Sequence, residues 1–314
     1  LDGCTGREAF DLDEPLARLT AQPWPSYVRG MGREALAVQP DLPGLDMVIA
    51  GDVPQGAGLS SSASLEVAVG AAFQTVGALA AVDPTQLAQM AQRAENHFVG
   101  CQCGIMDQLV SARGEAGHAL LIDCRSLATR AVPVPQDLSV LIAHSSVRRG
   151  LVDSHYNARR AACDAAARQF GVAALRDVNL GQLEASGLDP LTRRRARHVL
   201  TENERTLQAA AALARGDLRA LAALMAESHA SMRDDFEITV PAVDRLVELI
   251  AGVLAGQGVC SMTGGGFGGC VVALLPSAAV KEVERAVQAH YRSPEGLPAT
   301  LFVCRASAGC GPLT

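Results

Sequence analysis

At 314 residues, 49% of them hydrophobic, the chain is long enough for a substantial core and reads as soluble, globular and two-domain. Its net charge of −6 excludes a general attraction to nucleic acid or to an anionic membrane surface. No apolar run reaches transmembrane length and the start does not resemble a signal peptide, so a cytoplasmic location is expected. The nine cysteines, an odd number, do not form a disulfide framework; most lie in apolar surroundings and are expected to be small core residues. Cys101 and Cys103 have no second Cys/His pair at metal spacing, so zinc is not expected.

Residues 9–13 read as a short strand and the stretch after Pro15 as a helical segment. A helix opens at Trp24, the only tryptophan, and runs towards residue 37, with a loop over 40–44. Trp24 at a helix start is either an aromatic wall for a purine or a core anchor. Residues 47–53 have the short apolar look of a buried strand. Next comes Pro54-Gln-Gly-Ala-Gly-Leu-Ser-Ser-Ser-Ala63, after which Leu65, Ala68, Val69, Ala72 and Phe73 recur at helical spacing. Strand, glycine-rich turn and helix start together form an arrangement that holds a phosphate. Gly56 and Gly58 carry no Cβ, so amides can close on its oxygens, and the helix dipole adds attraction. The serine hydroxyls can donate to phosphate or ligate magnesium. The competing reading is a tight turn with a serine N-cap. The only lysine is Lys281, so the turn lacks a Walker A ending, and Gly-x-Gly-x-x-Ser fits the dinucleotide fingerprint poorly. The charge of a bound triphosphate must then be met by backbone amides, magnesium and arginine.

Asp83-Pro84 is an N-cap followed by proline at the first helical position; Leu87, Met90, Ala91 and Ala94 form that helix's buried face. Glu95 and Asn96 close it, residues 99–104 are a loop, and a short helix over 105–114 begins with Ile-Met-Asp-Gln. Strands are expected over 118–124 and 138–144, and a helix carrying Tyr156, Arg159 and Arg160 over 148–170. The cluster Arg193 to Arg197 reads as a solvated helix face. Gly216 separates two helical stretches and a new helix begins at Pro241. A glycine-rich segment, 260–270, runs into a strand over 271–275; a helix over 279–291 and a strand over 300–304 complete the pattern. Strands and helices without strict alternation indicate an α+β protein, divided at residues 1–145 and 146–314. Two glycine-rich segments with an aspartate-bearing helix start between them suggest a cleft between two domains.

Pro54-x-x-x-Gly58-Leu59-Ser60-Ser61-Ser62-Ala63 resembles the second signature of the GHMP small-molecule kinases, and Thr263-Gly-Gly-Gly-Phe-Gly-Gly269 resembles their third. Glu95-Asn-x-Phe-Val-Gly-x-x-Cys103-Gly-Ile-Met-Asp-Gln108 and Ser228-His-x-Ser-Met-Arg-Asp-Asp235 are similar to the galactokinase branch, in a resemblance running from about Trp24 to Gly311. It implies a two-domain GHMP kinase fold, with an N-terminal domain like ribosomal protein S5 domain 2 and a ferredoxin-like C-terminal domain. It also implies a cytoplasmic, monomeric enzyme that uses ATP and magnesium to phosphorylate galactose at the C1 hydroxyl.

By the same resemblance Asp107 is the catalytic carboxylate at that hydroxyl, and Pro54, Gln55, Gly56, Ala57, Gly58, Leu59, Ser60, Ser61, Ser62 and Ala63 hold the ATP phosphates. Ser62 and Glu95 ligate magnesium, Trp24 lies near the adenine, and Gly104, Asp107, Tyr156, Gly265 and Gly266 contact the sugar. Nothing in residues 1–30 matches the family's first motif, an arginine and a sugar-gripping loop. The chain is therefore expected to be truncated at its start and impaired as written. Two other readings stay open: a kinase for a related sugar such as N-acetylgalactosamine, and a non-catalytic sugar- and ATP-binding sensor. The sensors carry extra residues in the serine loop, whereas Ser60 to Ala63 and on to Ser64 has no insertion, which favours an enzyme.

Overall fold

The computed structural model describes residues 6–19, 24–55, 57–147 and 152–312, with backbone alone over 152–156. The chain divides into two compact units, Leu1–Val132 with Ala306–Thr314, and Pro133–Arg305. The strand at 138–144, which precedes the sequence division at 145, lies in the second unit.

Among the described residues the first unit is built on the α-helices α1 (Trp24–Val38), α2 (Ser61–Thr75), α3 (Pro84–Arg93) and α4 (Met106–Arg113). α3 begins where its sequence dictates. The Asp83 carboxylate accepts from the amides of Thr85 and Gln86, at 2.7 and 2.9 Å, while the Gln86 side chain accepts from the Asp83 amide. Pro84 occupies the first turn, where no donor is lost. The helices bury Met31, Ala35, Val67, Val69, Leu79, Leu87, Met90 and Leu109 in one cluster. Gly70 lets α2 and α3 approach, since a Cβ there would meet the Leu87 side chain at 2.2 Å. A two-stranded sheet, β1 (His118–Ile122) with β2 (Thr129–Pro133), completes the unit. The C-terminal tail joins it through Gly117 N–H to Ala306 O, Gly309 N–H to Gly114 O and Cys310 N–H to Ser111 O.

Three expectations fail in this unit. Residues 6–19 are irregular, with neither the strand at 9–13 nor the helical segment after Pro15. Residues 47–53 are not a strand either. Leu45, Met47 and Ile49 pack half-buried on the helical core while Val48 and Ala50 are exposed, which is a strand's alternation. The ladder is what is missing: among the described residues no strand pairs with this segment. Residues 94–99 continue α3 as a π-helix rather than closing it.

The second unit is organised on a four-stranded antiparallel sheet. Its strands are β3 (Leu138–His144), β4 (Val259–Thr263), β5 (Cys270–Pro276) and β6 (Thr300–Cys304), in spatial order β4-β5-β3-β6. The sequence pattern predicts a glycine-rich segment over 260–270 and no strand over 129–133; the structure forms β4 and β2 there. The helices are α5 (Val152–Gln169), α6 (Leu180–Glu184), α7 (Pro190–Ala214), α8 (Leu218–Asp234), α9 (Pro241–Leu254) and α10 (Val280–His290). Val271, Ala273 and Leu275 of β5 pack with Leu246 and Ile250 of α9 and Val283 and Val287 of α10. Leu274 lies in the other cluster, with Val259 and Leu221 of α8. This period-2 split shows a strand buried on both faces. Tyr291 is wholly buried and anchors its hydroxyl on Ser145 O at 2.8 Å.

The arginine cluster on α7 is not merely a solvated face. Arg195 is 2% exposed, donating to Asp235 O and pairing with Glu237, and Arg193 donates to the carbonyls of Ser186 and Leu188. Guanidinium forks satisfied by carbonyls and carboxylates can be buried where a lone charge cannot. Among the described cysteines none forms a disulfide; Cys260 and Cys270 are core residues as expected, but Cys101 and Cys124 are exposed. No helix of the described residues is long and apolar enough to cross a membrane.

Two buried histidines tie α7 and α8 to the rest of this unit. Ser231 Oγ donates to Asp235 Oδ2 at 3.0 Å, so it accepts from His198 Nδ1 at 3.0 Å. The amide of Met262 donates to His229 Nδ1 at 3.4 Å, so the ring proton sits on Nε2, and that nitrogen lies 3.2 Å from Asp244 Oδ1. Burial, the largest cause in each, holds both imidazoles below their ordinary value of 6.5. A histidine with a depressed folded-state pKa leaves stability intact above the unfolded value. As pH falls through 6.5 the unfolded chain takes up the proton first, and stability is lost. Calorimetry is expected to show unfolding a few degrees lower at pH 5.5 than at 7.5, with a smaller drop in His229→Gln. An acid shift of the same size in that variant would refute the assignment.

Candidate active site

Within the first unit the segment 54–63 does what its glycines and serines allow. Gly58 and Ser60 both take left-handed backbone, at φ of 75° and 62°. Successive turns of this kind aim amides towards one side of the chain. Ser60 is the N-cap of α2, yet no side chain caps the helix. The serine N-cap of the competing reading is therefore not formed, and the first amides of α2 are left to an anion. Gly56 lies outside the described residues; Ala57 is buried, and Pro54, Gly58, Leu59, Ser60, Ser61 and Ser62 are half-buried, with Gln55 exposed.

Below this turn sits a polar cluster. Glu95 is only 6% exposed, because the π-helix Ala94–Val99 carries it inward instead of ending the helix in solvent. Its Oε2 accepts from Gln108 Nε2 at 2.8 Å and from the Cys103 thiol at 3.5 Å. Burial raises the Glu95 pKa; hydrogen bonds from Ser62 and Cys103 oppose this, and the Asp107 charge adds to it. Asn96 Oδ1 accepts from the Cys103 amide at 2.8 Å and so shapes the loop leading to α4. Burial first, and Glu95 next, pushes the Cys103 thiol up to about 12, so it remains a donor. The same two causes push the Tyr27 hydroxyl to about 12.

Glu66 was not singled out from the sequence. It is fully buried, and its carboxyl group faces Gln108 and Glu95. Burial first, and the Glu95 charge second, pushes it up to about 10, so it holds its proton at neutral pH. A signal for it does exist: Glu66 follows Ser62 by four residues, on one helix face, between apolar Leu65 and Val67. Gln108, also fully buried, was legible only as Asp107's neighbour.

Asp107 stands in the first turn of α4, half-buried, with Ile105 and not Asp107 at the N-cap. Among the described residues no hydrogen bond or ion pair holds its carboxylate. Gly104, just before, is exposed and faces open space. Trp24 packs half-buried against the core of this unit, which favours the core-anchor reading of its ring. The structure thus brings Ser62, Glu95 and Asp107 into one electrostatic group. A hydroxyl and a carboxylate suit a hard cation such as magnesium. Among the described residues no group of three or more His, Cys, Asp or Glu side chains could hold a metal by itself. Phosphate oxygens and water would supply the remaining ligands.

The second unit holds the other glycine-rich segment. It links β4 to β5, and Gly264, Gly266, Gly268 and Gly269 all have positive φ, as does Phe267 at 58°. Gly266 is buried against residue 238, where a Cβ would stand 2.4 Å from Ile238 O. Gly265 is half-buried, and Thr263 ends β4. Tyr156 belongs to α5, but its side chain lies outside the described residues.

An uncapped, glycine-led helix start over a buried carboxylate is a site for phosphoryl chemistry, and its setting is a two-domain α+β fold. These are the marks of an ATP-dependent small-molecule kinase. Residues 26–115 match the family described as GHMP kinases N terminal domain, and residues 209–293 match GHMP kinases C terminal. The structure is similar to that of Lactococcus lactis galactokinase complexed with galactose. The TM-score is 0.84 at 32% identity, over 95% of this chain and 78% of that one. Homoserine kinase from Cytophaga hutchinsonii (TM-score 0.56, 16% identity, 90% and 78% covered) shares the fold. So does Streptococcus pneumoniae phosphomevalonate kinase in complex with phosphomevalonate and AMPPNP (0.56, 17%, 90% and 80%). The chain belongs to the GHMP kinase family and has its two-domain fold.

Proposed function

We propose that this protein is a galactose kinase, transferring the γ-phosphoryl group of ATP to the C1 hydroxyl of the sugar. The observation that carries this reading is the likeness to a galactokinase over 95% of the chain at 32% identity, whereas the homoserine and phosphomevalonate kinases share the fold at 16–17%. In this reading Asp107 accepts a hydrogen bond, and finally the proton, from the C1 hydroxyl. The hydroxyl oxygen bonds to the γ-phosphorus as the bond to the β–γ bridging oxygen breaks and ADP leaves. The transition state is loose, so positioning and charge neutralisation outweigh proton removal. The turn 54–63 holds the phosphates with amides and hydroxyls. Ser62 and Glu95 would hold magnesium, which neutralises charge on the phosphate oxygens when bound. Gly104, Tyr156, Gly265 and Gly266 line the sugar in this reading, while Trp24, packed on the core, is given no role at the nucleotide.

The test pairs product detection with binding. With magnesium and ATP, galactose is expected to raise the unfolding temperature and to yield ADP and a sugar 1-phosphate by phosphorus NMR. Homoserine and mevalonate should do neither. A galactose effect on stability without any ADP would identify a binding module, and preference for N-acetylgalactosamine would move the reading to the related sugar. No galactose effect on either readout would end it.

A further inference from the structure

The segment joining α8 to α9, residues 235–240, is held in a way the catalytic reading does not use. Three successive carbonyls are each taken by a donor from elsewhere in the unit. Phe236 O accepts from Arg159 Nε at 2.6 Å, Glu237 O from Arg159 Nη2 at 2.9 Å, and Ile238 O from the Phe267 amide at 2.7 Å. Glu237 itself sits at a φ of 52°, unusual for a side chain of its size. Its carboxylate is pinned by Arg195 and by Arg194 at 2.8 Å, and Arg195 also donates to Asp235 O. Phe267 is the non-glycine residue of the glycine-rich segment with left-handed backbone, and the Arg159 guanidinium lies 5.7 Å from its ring centroid. Gly266 abuts Ile238. One planar fork on α5 therefore fixes both the connection and the ring of the segment resting on it.

We infer that Arg159 is a positioning residue: by clamping residues 236 and 237 it sets the conformation of the glycine-rich segment 263–269. The kinetic consequence rests on the proposed placement of Gly265 and Gly266 at the acceptor sugar; the structural consequence does not. A lysine keeps the charge but cannot donate to two neighbouring carbonyls with parallel N–H groups, nor stack its head as a plane. Among the described residues the Arg194 guanidinium pairs with the Glu237 carboxylate alone; its side chain is 45% exposed and serves as the comparison.

The experiment is amide hydrogen exchange combined with kinetics on Arg159→Lys and Arg194→Ala. In Arg159→Lys the Phe267 amide is expected to exchange at least about tenfold faster, while the amides of β5 keep their parental protection and the unfolding temperature stays near the parent's. kcat/KM for galactose should fall about tenfold or more with KM for ATP unchanged, and Arg194→Ala should match the parent in both readouts. Parental protection at Phe267 in Arg159→Lys would overturn the inference. So would a uniform loss of protection across β5, which would mark a general stability role. Faster exchange at Phe267 without a change in kcat/KM for galactose would leave the clamp standing and count against the sugar placement.

Discussion

Asp107→Ala is expected to lower kcat by about 10²-fold to 10⁴-fold while leaving ATP binding close to that of the parent. The change should not unseat α4. That helix is anchored by Leu109 and Gln108, both fully buried, and alanine is a better helix former than aspartate. Nor should it weaken the nucleotide end. The Asp107 charge raises the Glu95 pKa, so its removal makes the Glu95 carboxylate easier to keep ionised beside Ser62. What is lost is the acceptor for the attacking hydroxyl's proton, and among the described residues no hydrogen bond or ion pair commits that carboxylate elsewhere. The companion variant Asp107→Asn separates orientation from basicity. If the transition state is loose, the amide should recover part of the loss by still hydrogen-bonding the hydroxyl. Steady-state kinetics with thermal protection by magnesium and ATP decides the matter. Near-parental turnover in the alanine variant would remove Asp107 from the chemistry.

Periodicity and capping reached the elements that rest on local rules. The strands over 138–144 and 300–304, the start of α3 at Asp83-Pro84 and the break at Gly216 each follow from residues within a few positions. Residues 47–53 show where such rules stop. Their alternation is that of a strand, but strand is a property of a pair, and pairing cannot be read from one segment. β4 escaped notice because its apolar run is short and merges into glycines, so its strand character comes from its register against β5. At the site, residue types that hold a phosphate were legible in the turn 54–63. Glu66 was legible only as the residue one helical turn beyond Ser62, because an acid inside an apolar helix stripe reads as an exposed interruption until burial is known. Glu95 likewise reads as a helix-end carboxylate; the π-turn that carries it inward leaves no mark in hydrophobic spacing. Arg195 misled in the same sense, since a run of arginines says nothing about which one finds a carboxylate and a carbonyl in the interior.

Gly266→Ala is expected to cost on the order of 4 kcal/mol of stability, combining left-handed strain with overpacking. Two separable effects meet at this position. The backbone φ is +83°, where a Cβ is strained in any surroundings, and the added carbon would lie 2.4 Å from Ile238 O and 2.8 Å from Ile238 Cβ. Neither atom is the end of a flexible side chain, so relief requires moving the 235–240 connection. That segment is held by Arg159 and Arg195 on one side and by the Phe267 amide on the other. Gly256 supplies the control: its φ is also +83°, and nothing lies within 4 Å of where its Cβ would be. Gly256→Ala should therefore show the strain alone, about 1–3 kcal/mol, and Gly266→Ala should exceed it in urea denaturation. Equal losses in the two variants would mean that the connection yields to the extra carbon. The contact between residues 238 and 266 would then not be what fixes the shape of the glycine-rich segment.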